Sequence, residues 1–108
     1  NLLSACIRGL IDTDGGFNGH PHTKIMMNFT AANQPLLDDF CKAFEQTAFP
    51  IKQSGQNAYF YGLEKTKKYL EKIGTSNPKN KIKCQTAISG EKVPNNKEIE
   101  IFFKNNPK

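Results

Sequence analysis

An apolar segment at the start of the chain ends abruptly on two aspartates and two glycines, CIRGLIDTDGG, residues 6–16. The preceding apolar residues have no helix breaker before Gly9, which predicts a helix over residues 2–12, and the paired glycines favour a change to extended backbone. Ala5 and Gly9 are four residues apart and therefore share one helix face. Small residues at this spacing allow a second backbone to approach closely. The first element is thus expected to deliver carboxylates at its end and to offer one face to a partner.

Alternation of apolar and polar residues over 17–30 predicts two β-strands with one buried and one exposed face, joined at the turn-forming sequence NGHPH. Residues 50–54 and 56–63 are expected to form a second strand pair, with Ser54-Gly55-Gln56 at the turn. The outward polar residues could contact phosphates and base edges, or they could form an ordinary solvated sheet face. The pattern alone leaves both interpretations open.

Helices are predicted at 33–47 and 64–73, with Asn33 as the N-cap of the first and Gly74 ending the second. Residues 75–83, TSNPKNKIK, are predicted to form a basic loop, and the segment 94–105 is compatible with a strand or a helix, of which the helix is preferred. The order α-β-β-α-β-β-α predicts an α+β fold, in which a four-stranded antiparallel sheet carries helices on one face.

The length of 108 residues is that of one domain, spanning residues 1–108. The net charge of +5 is unevenly distributed, because residues 64–83 carry seven lysines against two glutamates. Such a surplus suits a polyanion-binding surface or a solvated helix. Three widely spaced cysteines fit neither a disulfide framework nor a zinc site, so reduced, buried thiols in an intracellular protein are expected. No apolar run is long enough to span a membrane, and no membrane partner is expected.

The carboxylates of the first segment do not fit an EF-hand. The third ligand position holds Gly16, and the residue eleven positions after Asp12 is Thr23 rather than glutamate. Residues 7–15, IRGLIDTDG, instead resemble the LAGLIDADG motif of homing endonucleases and their maturase relatives, departing from it at Ile7, Arg8 and Thr13. The residues NPKNKIK, within the segment 75–85, resemble the family's basic active-site segment. The resemblance covers about residues 2–88 and implies the fold of that family, with the sheet shaped as a saddle.

The resemblance implies a site at which two motif helices pack through small residues, here Ala5 and Gly9. Each helix would deliver the last acid of its motif, Asp14, to bind Mg²⁺ or another divalent cation, with the carbonyl of Thr13 as a further ligand. Asp12 is instead expected to stabilise the helix end. Lys83 matches the family's catalytic lysine best. The family's polar residue at the start of the second helix is not recovered, because alanines occupy that region.

The resemblance also implies that the outward face of the sheet binds the major groove of double-stranded DNA, with the first hairpin tip in the groove. Two histidines at this tip, His20 and His22, lack a third ligand nearby and are not expected to bind a metal. The expected DNA-binding residues are Asn18, His20, Lys24, Met26, Asn28, Lys52, Ser54, Asn57, Tyr59, Tyr61 and Lys81, the last being also the alternative to Lys83.

The function implied is that of a homing endonuclease, which hydrolyses both strands of a long pseudo-palindromic DNA site with a divalent metal ion. One motif supplies half of such a site, so the chain is expected to form a homodimer, to be half of a two-motif protein or to be an intein-borne domain. The alternative is a non-catalytic nucleic-acid binder that kept the fold, such as a splicing maturase or a DNA-binding regulator. An unrelated basic α+β domain is the third hypothesis.

Overall fold

Five helices and a four-stranded antiparallel sheet form the part of the chain that the computed structural model describes, residues 2–105. The elements in chain order are α1 (Leu2–Asp14), β1 (Gly15–His20), β2 (Lys24–Thr30), α2 (Gln34–Thr47), β3 (Lys52–Ser54), β4 (Asn57–Tyr61), α3 (Leu63–Lys72), α4 (Pro78–Ile88) and α5 (Asn96–Asn105). The strand order in the sheet is β1-β2-β4-β3. The predicted α+β class is confirmed. None of the described helices is long and apolar enough to cross a membrane.

The passage from α1 directly into β1 depends on Gly15. A Cβ atom at this position would lie 2.9 Å from the carbonyl oxygen of Asn28 on the neighbouring strand and 3.3 Å from the backbone of Ile11. Contacts under 3.0 Å essentially never occur for real Cβ atoms, so only glycine fits here. The glycine therefore lets a helix end and a strand begin without an intervening loop, which fixes where the last helical residue, Asp14, lies.

The core lies between one face of the sheet and α1, α2 and α3. The predicted alternation in β2 is confirmed, because Ile25, Met27 and Phe29 are fully buried. Phe29 stacks on Phe40 of α2 with ring centroids 4.2 Å apart. Aromatic rings contact one another throughout this core. The buried aromatic residues are Phe17, Phe29, Phe40, Phe44, Phe49, Phe60 and Tyr69.

The predicted basic loop over residues 75–83 is wrong, because α4 occupies most of it. Asn77 caps this helix: its side-chain oxygen accepts hydrogen bonds from the backbone N–H groups of Lys79 (2.9 Å) and Asn80 (3.4 Å), and Pro78 lies in the first turn. Asparagine followed by proline is a recognised helix start. The apolar stripe of α4 is short and lies among lysines, so the sequence pattern did not indicate a helix. The helix lies beside the free edge of β1, where the Phe17 N–H donates to the side-chain oxygen of Asn80 at 3.3 Å.

The preferred helix near the end of the chain is confirmed as α5. Asn95 and Glu98 form a reciprocal capping box at its start, with each side chain accepting a hydrogen bond from the other residue's backbone N–H. The helix docks through the buried Ile99 and through a 3.0 Å ion pair between Lys79 of α4 and Glu100. The ion pair is half exposed and adds little stability by itself. The start of α5 is thus fixed more firmly than its apolar contacts alone would ensure.

One buried polar atom in the core lacks a hydrogen-bond partner among the described residues, the hydroxyl of Tyr69. Its ring packs against Phe17 at a centroid distance of 5.4 Å. Burial raises the pKa of Tyr69, and the negative charge of Asp12 acts in the same direction. The ring therefore stabilises the fold while the hydroxyl does not.

Removing this hydroxyl is expected to leave the fold intact. A buried donor without a partner costs roughly 1–3 kcal/mol, so Tyr69→Phe should leave the free energy of unfolding unchanged or raise it by about 1 kcal/mol. Tyr69→Leu, which keeps an apolar side chain but loses the aromatic contacts, should lower it by at least about 1 kcal/mol. Urea denaturation of both variants measures the difference. A loss of more than 1 kcal/mol in Tyr69→Phe would show that the hydroxyl is bonded in solution.

Candidate active site

The end of α1 is tied to the segment before α4 by Asp12. Its carboxylate accepts hydrogen bonds from the Thr75 hydroxyl, from the Ser76 backbone N–H at 2.7 Å and from the Asn80 side chain at 3.4 Å. The Asn77 side chain also donates to the backbone carbonyl of Asp12 at 2.9 Å. Hydrogen bonds to an ionised carboxylate are the stronger kind. This geometry fits the expected role of Asp12 in stabilising the helix end.

Asp14, two residues later, is exposed and makes none of these bonds. It lies at the mouth of a cleft of about 220 Å³ between the end of α1, β1, β2 and the starts of α4 and α5. Lys83, predicted from a segment nearly seventy residues away, lines the same cleft. We refer to this cavity as the Asp14–Lys83 cleft. Its lining residues are Asp14, Gly15, Gly16, Phe17, Asn18, Asn28, Asn77, Lys79, Asn80, Lys83 and Asn96.

Lys83 is almost entirely buried, with 3% of its surface exposed. Its ammonium group donates hydrogen bonds to two side-chain amide oxygens, that of Asn96 at 2.5 Å and that of Asn18 at 3.3 Å. Among residues 2–105 no carboxylate forms an ion pair with Lys83, since the one ion pair found there joins Lys79 to Glu100. The positive charge at the cleft is therefore hydrogen-bonded but not neutralised.

Burial lowers the pKa of Lys83, and the positive charge of Lys79 acts in the same direction. A buried cation without a counter-charge carries a desolvation cost that a folded protein usually avoids. Groups with perturbed pKa values in clefts are candidates for function rather than for stability. By contrast, burial raises the pKa of Cys84 to about 12, which makes its thiol unreactive.

Two of the residues predicted for this region do not line the cleft. Thr13 is exposed, and its hydroxyl donates back to the Gly9 carbonyl at 2.8 Å within α1. Lys81 is exposed on α4. Sequence reasoning missed Asn80 and Asn96, since isolated asparagines in a polar segment give no pattern. The predicted carbonyl ligand of Thr13 and the DNA contact of Lys81 stay predictions.

A shallow pocket of about 530 Å³ lies on the outer face of the sheet, and we refer to the residues that line it as the concave surface. Two of its polar side chains, Asn28 and Asn57, are bonded to each other and to the neighbouring Thr30, because the Thr30 hydroxyl donates to the Asn57 side-chain oxygen at 2.6 Å and the Asn28 side-chain amide donates to both. Two tyrosines, Tyr59 and Tyr61, lie side by side with ring centroids 5.3 Å apart. The lining includes seven of the predicted DNA-binding residues, namely Asn18, Met26, Asn28, Ser54, Asn57, Tyr59 and Tyr61.

The remaining predicted sheet residues lie around this surface. The Lys52 ammonium is 5.9 Å from the centre of the Tyr61 ring, and the His20 ring is 4.8 Å from the same ring. The His20 Nδ1 accepts hydrogen bonds from the backbone N–H groups of His22 and Thr23, so this side chain stabilises the turn. Lys24 is exposed at the hairpin tip. Within residues 2–105, no three His, Cys, Asp or Glu side chains are grouped to hold a metal ion.

The lysine surplus of residues 64–83 does not lie on the concave surface. Four of its seven lysines belong to α3, which packs on the opposite face of the sheet. Two of these, Lys65 and Lys68, lie 5.9 and 5.7 Å from the ring of Phe49. The other three belong to α4, where Lys79 and Lys83 line the cleft. The positive charge next to Asp14 is thus smaller and more localised than the sequence suggested.

The outward face of α1 carries small and apolar residues in a stripe. Leu2 is 81% exposed, and a Cβ added at Gly9 would meet nothing within 4 Å. Cys6 is exposed on this face, so the expectation that all three thiols are buried is wrong for this one. We refer to the stripe as the α1 face; its residues are Leu2, Ala5, Cys6, Gly9 and Thr13.

No protein-family model, curated protein or solved structure matches this chain significantly. The resemblance to the LAGLIDADG family therefore depends on the sequence segments that carry it.

The two aspartates of the motif are expected to differ in their effect on stability. Asp12→Ala removes the acceptor for three donors near α4 and should lower the free energy of unfolding by about 1–3 kcal/mol. Asp14→Ala, two positions away and exposed, should change it by less than about 0.5 kcal/mol. Chemical denaturation of the pair provides a matched comparison. Equal losses in the two variants would contradict the structural role assigned to Asp12.

Lys83 is expected to destabilise the fold that holds it. Lys83→Met keeps most of the side-chain volume and removes a desolvated charge, while Asn18 and Asn96 are exposed and can bind water instead. The free energy of unfolding at pH 7 should therefore stay the same or rise by about 1 kcal/mol. Lys81→Met on the same helix is the exposed control and should have no effect. A marked loss of stability in Lys83→Met would mean that Lys83 serves the fold.

Proposed function

We propose that this protein is a metal-dependent homing endonuclease of the LAGLIDADG type, which cuts both strands of a long pseudo-palindromic DNA site. The observation that carries the proposal is that an exposed carboxylate, Asp14, and an unneutralised buried ammonium, Lys83, line one cleft. The two residues were singled out from separate segments of the sequence. A phosphodiester offers the anionic partner that Lys83 lacks within the described chain.

The donor set at the cleft fits a hard divalent cation in part. Mg²⁺ prefers oxygen ligands, keeps several waters and is commonly held by one or two carboxylates together with substrate phosphates. Asp14 supplies one carboxylate, and Asp12 is occupied by its own hydrogen bonds. A bound metal ion would polarise the phosphate and activate a water. Lys83 would stabilise the negative charge that develops on the phosphate oxygens.

The concave surface supports recognition of duplex DNA. Asparagine, serine, lysine and tyrosine side chains can donate to and accept from phosphates and base edges. The hydrogen-bonded row of Asn28, Thr30 and Asn57 orders these groups before any ligand binds. The cleft adjoins this surface, since Asn18 and Asn28 line both. A duplex bound on the surface would bring its backbone to Asp14 and Lys83.

The α1 face supports pairing with a second motif helix, in a homodimer or in a longer two-motif chain. On this face Gly9 has no side chain and Ala5 has only a methyl group, so two helix backbones could approach closely. Asp14 follows directly at the end of this helix, so a two-fold pairing would bring two carboxylates together near the symmetry axis.

A second candidate function, a non-catalytic nucleic-acid binder, is favoured by two observations. Asp14 is the only acid lining the cleft among residues 2–105, and 3% exposure leaves Lys83 little access to solvent. Such a protein would use the same concave surface but would require neither Asp14 nor a metal. The two functions therefore differ in their dependence on Asp14.

Cleavage of selected DNA tests the proposed function. Duplexes recovered in EDTA from a randomised library by the purified protein are incubated with Mg²⁺, and the products are resolved on denaturing gels. The wild type should cut both strands. Asp14→Asn should slow cleavage by about 100-fold or more while the Kd for the same DNA changes little. Asp38→Asn, an exposed acid on α2, is the control and should cut normally.

Two results would contradict the endonuclease. Tight, selective DNA binding without cleavage in Mg²⁺ or Mn²⁺ would favour the non-catalytic binder. Cleavage that persists in Asp14→Asn would show that the activity comes from elsewhere in the chain or from a contaminant.

Self-association through the α1 face is tested by changing Gly9. Gly9→Ala improves helix propensity by about 1 kcal/mol, and its Cβ meets no neighbour within the chain. In dilute samples in which both proteins are monomeric, the variant should unfold at a higher temperature than the wild type. At higher concentration it should sediment with weaker self-association, because the Cβ separates the paired helices. Gln85→Ala, at an exposed position of α4, provides a control away from this face. A wild type that is monomeric at high micromolar concentration would exclude the homodimer and leave the two-motif chain.

A further inference from the structure

The Lys83 ammonium is coordinated by amides from two different elements. Asn18 lies on β1 and Asn96 is the first residue of α5. The contact with Asn96 is the closer one, at 2.5 Å against 3.3 Å. The resemblance to the endonuclease motif ends before α5, so nothing in the sequence connected Asn96 with Lys83.

The number of N–H donors on the ammonium group determines how many are left for a ligand. A lysine ammonium has three N–H donors, and two are used by the asparagines, so one remains for a ligand in the cleft. The two amide oxygens fix the direction in which the third N–H points. A long, flexible side chain is thereby held in one orientation before a ligand arrives.

The identity of the partners is as informative as their number. A carboxylate at the position of Asn96 would hold the ammonium more strongly but would cancel its charge. The amide oxygen accepts the hydrogen bond and leaves the full positive charge available to an anion. This suits a phosphate site better than a structural ion pair.

The position of Asn96 is itself well fixed. The capping box of Asn95 and Glu98 orders the first turn of α5, and the ion pair between Lys79 and Glu100 ties the next turn to α4. Ile99, also in α5, is buried. Asn96 is thus presented to Lys83 by a helix that docks on the same α4 that carries the lysine.

We propose that Asn96 is a positioning residue, which holds the Lys83 ammonium toward the Asp14–Lys83 cleft without neutralising it and so makes α5 part of the active site. This rests on the proposed endonuclease function. The phosphodiester of the DNA substrate is the ligand that would accept the remaining N–H.

Three variants of the full chain test this role. Asn96→Ala removes the acceptor, Asn96→Asp keeps an acceptor but adds the cancelling charge, and Asn105→Ala is a matched control at the exposed far end of the same helix. The first measurement is the ¹⁵N NMR cross-peak of the Lys83 ammonium, assigned by its absence in Lys83→Met. The second is single-turnover cleavage and DNA affinity with the selected duplex.

The expected results distinguish an effect on the orientation of the Lys83 ammonium from an effect on its charge. In Asn96→Ala the Lys83 cross-peak should be lost to rapid exchange, and the cleavage rate constant should fall by about 10- to 100-fold while the Kd for DNA stays within about 3-fold. In Asn96→Asp the cross-peak should persist while cleavage falls at least as far, because the carboxylate cancels the charge. Asn105→Ala should match the wild type in both measurements.

Other outcomes overturn the proposal in distinguishable ways. A protected cross-peak and normal cleavage in Asn96→Ala, with an active wild type, would overturn the positioning role alone. Normal cleavage in Asn96→Asp would show that the neutral amide has no significance. A wild type that cuts no DNA would overturn the proposed function, and the positioning role with it.

Discussion

The hydrogen bonds around Asp12 are the constraint on which the candidate site depends. They connect the end of the first helix to the segment before α4, although more than sixty residues separate the two. This connection fixes the end of α1 against the start of α4, and together with the docking of α4 on β1 it sets the position of Asp14 relative to Lys83. The two aspartates of the motif therefore have different tasks, one holding the scaffold and the other remaining exposed at the cleft.

Much of the fold could be predicted because local patterns and tertiary packing agree. Period-two alternation identified the first two strands, and turn residues marked the second pair. Asn33 caps α2 as expected, accepting from the Leu36 N–H at 2.9 Å. The helix α4 was not predicted. Asn77 followed by Pro78 is a typical helix start, but the apolar stripe that follows is short and lies among lysines. Whether such a segment forms a helix depends on its docking on β1, which no local sequence pattern shows.

Of the residues at the candidate site, Asp14 and Lys83 were predicted, whereas Asn80 and Asn96 were missed. Asp14 and Lys83 stood out because the motif resemblance marked them. Asn80 and Asn96, which hold Asp12 and Lys83 in place, are asparagines in polar segments and gain meaning only from geometry. The lysine surplus of residues 64–83 suited a polyanion-binding surface or a solvated helix. Most of it lies on α3, on the far side of the sheet from the concave surface. A residue's net charge is visible in a sequence, whereas its hydrogen-bond partner is not.

The most direct test of the account is where a divalent cation binds. Mn²⁺ added at low concentration to the ¹⁵N-labelled protein broadens the amide resonances nearest to it, and the measurement requires no knowledge of the DNA target. The account predicts broadening centred on Asp14, Gly15 and Gly16, and its loss in Asp14→Asn. Broadening confined to the exposed acids of α2, Asp38 and Asp39, with the residues after α1 unaffected, would contradict it.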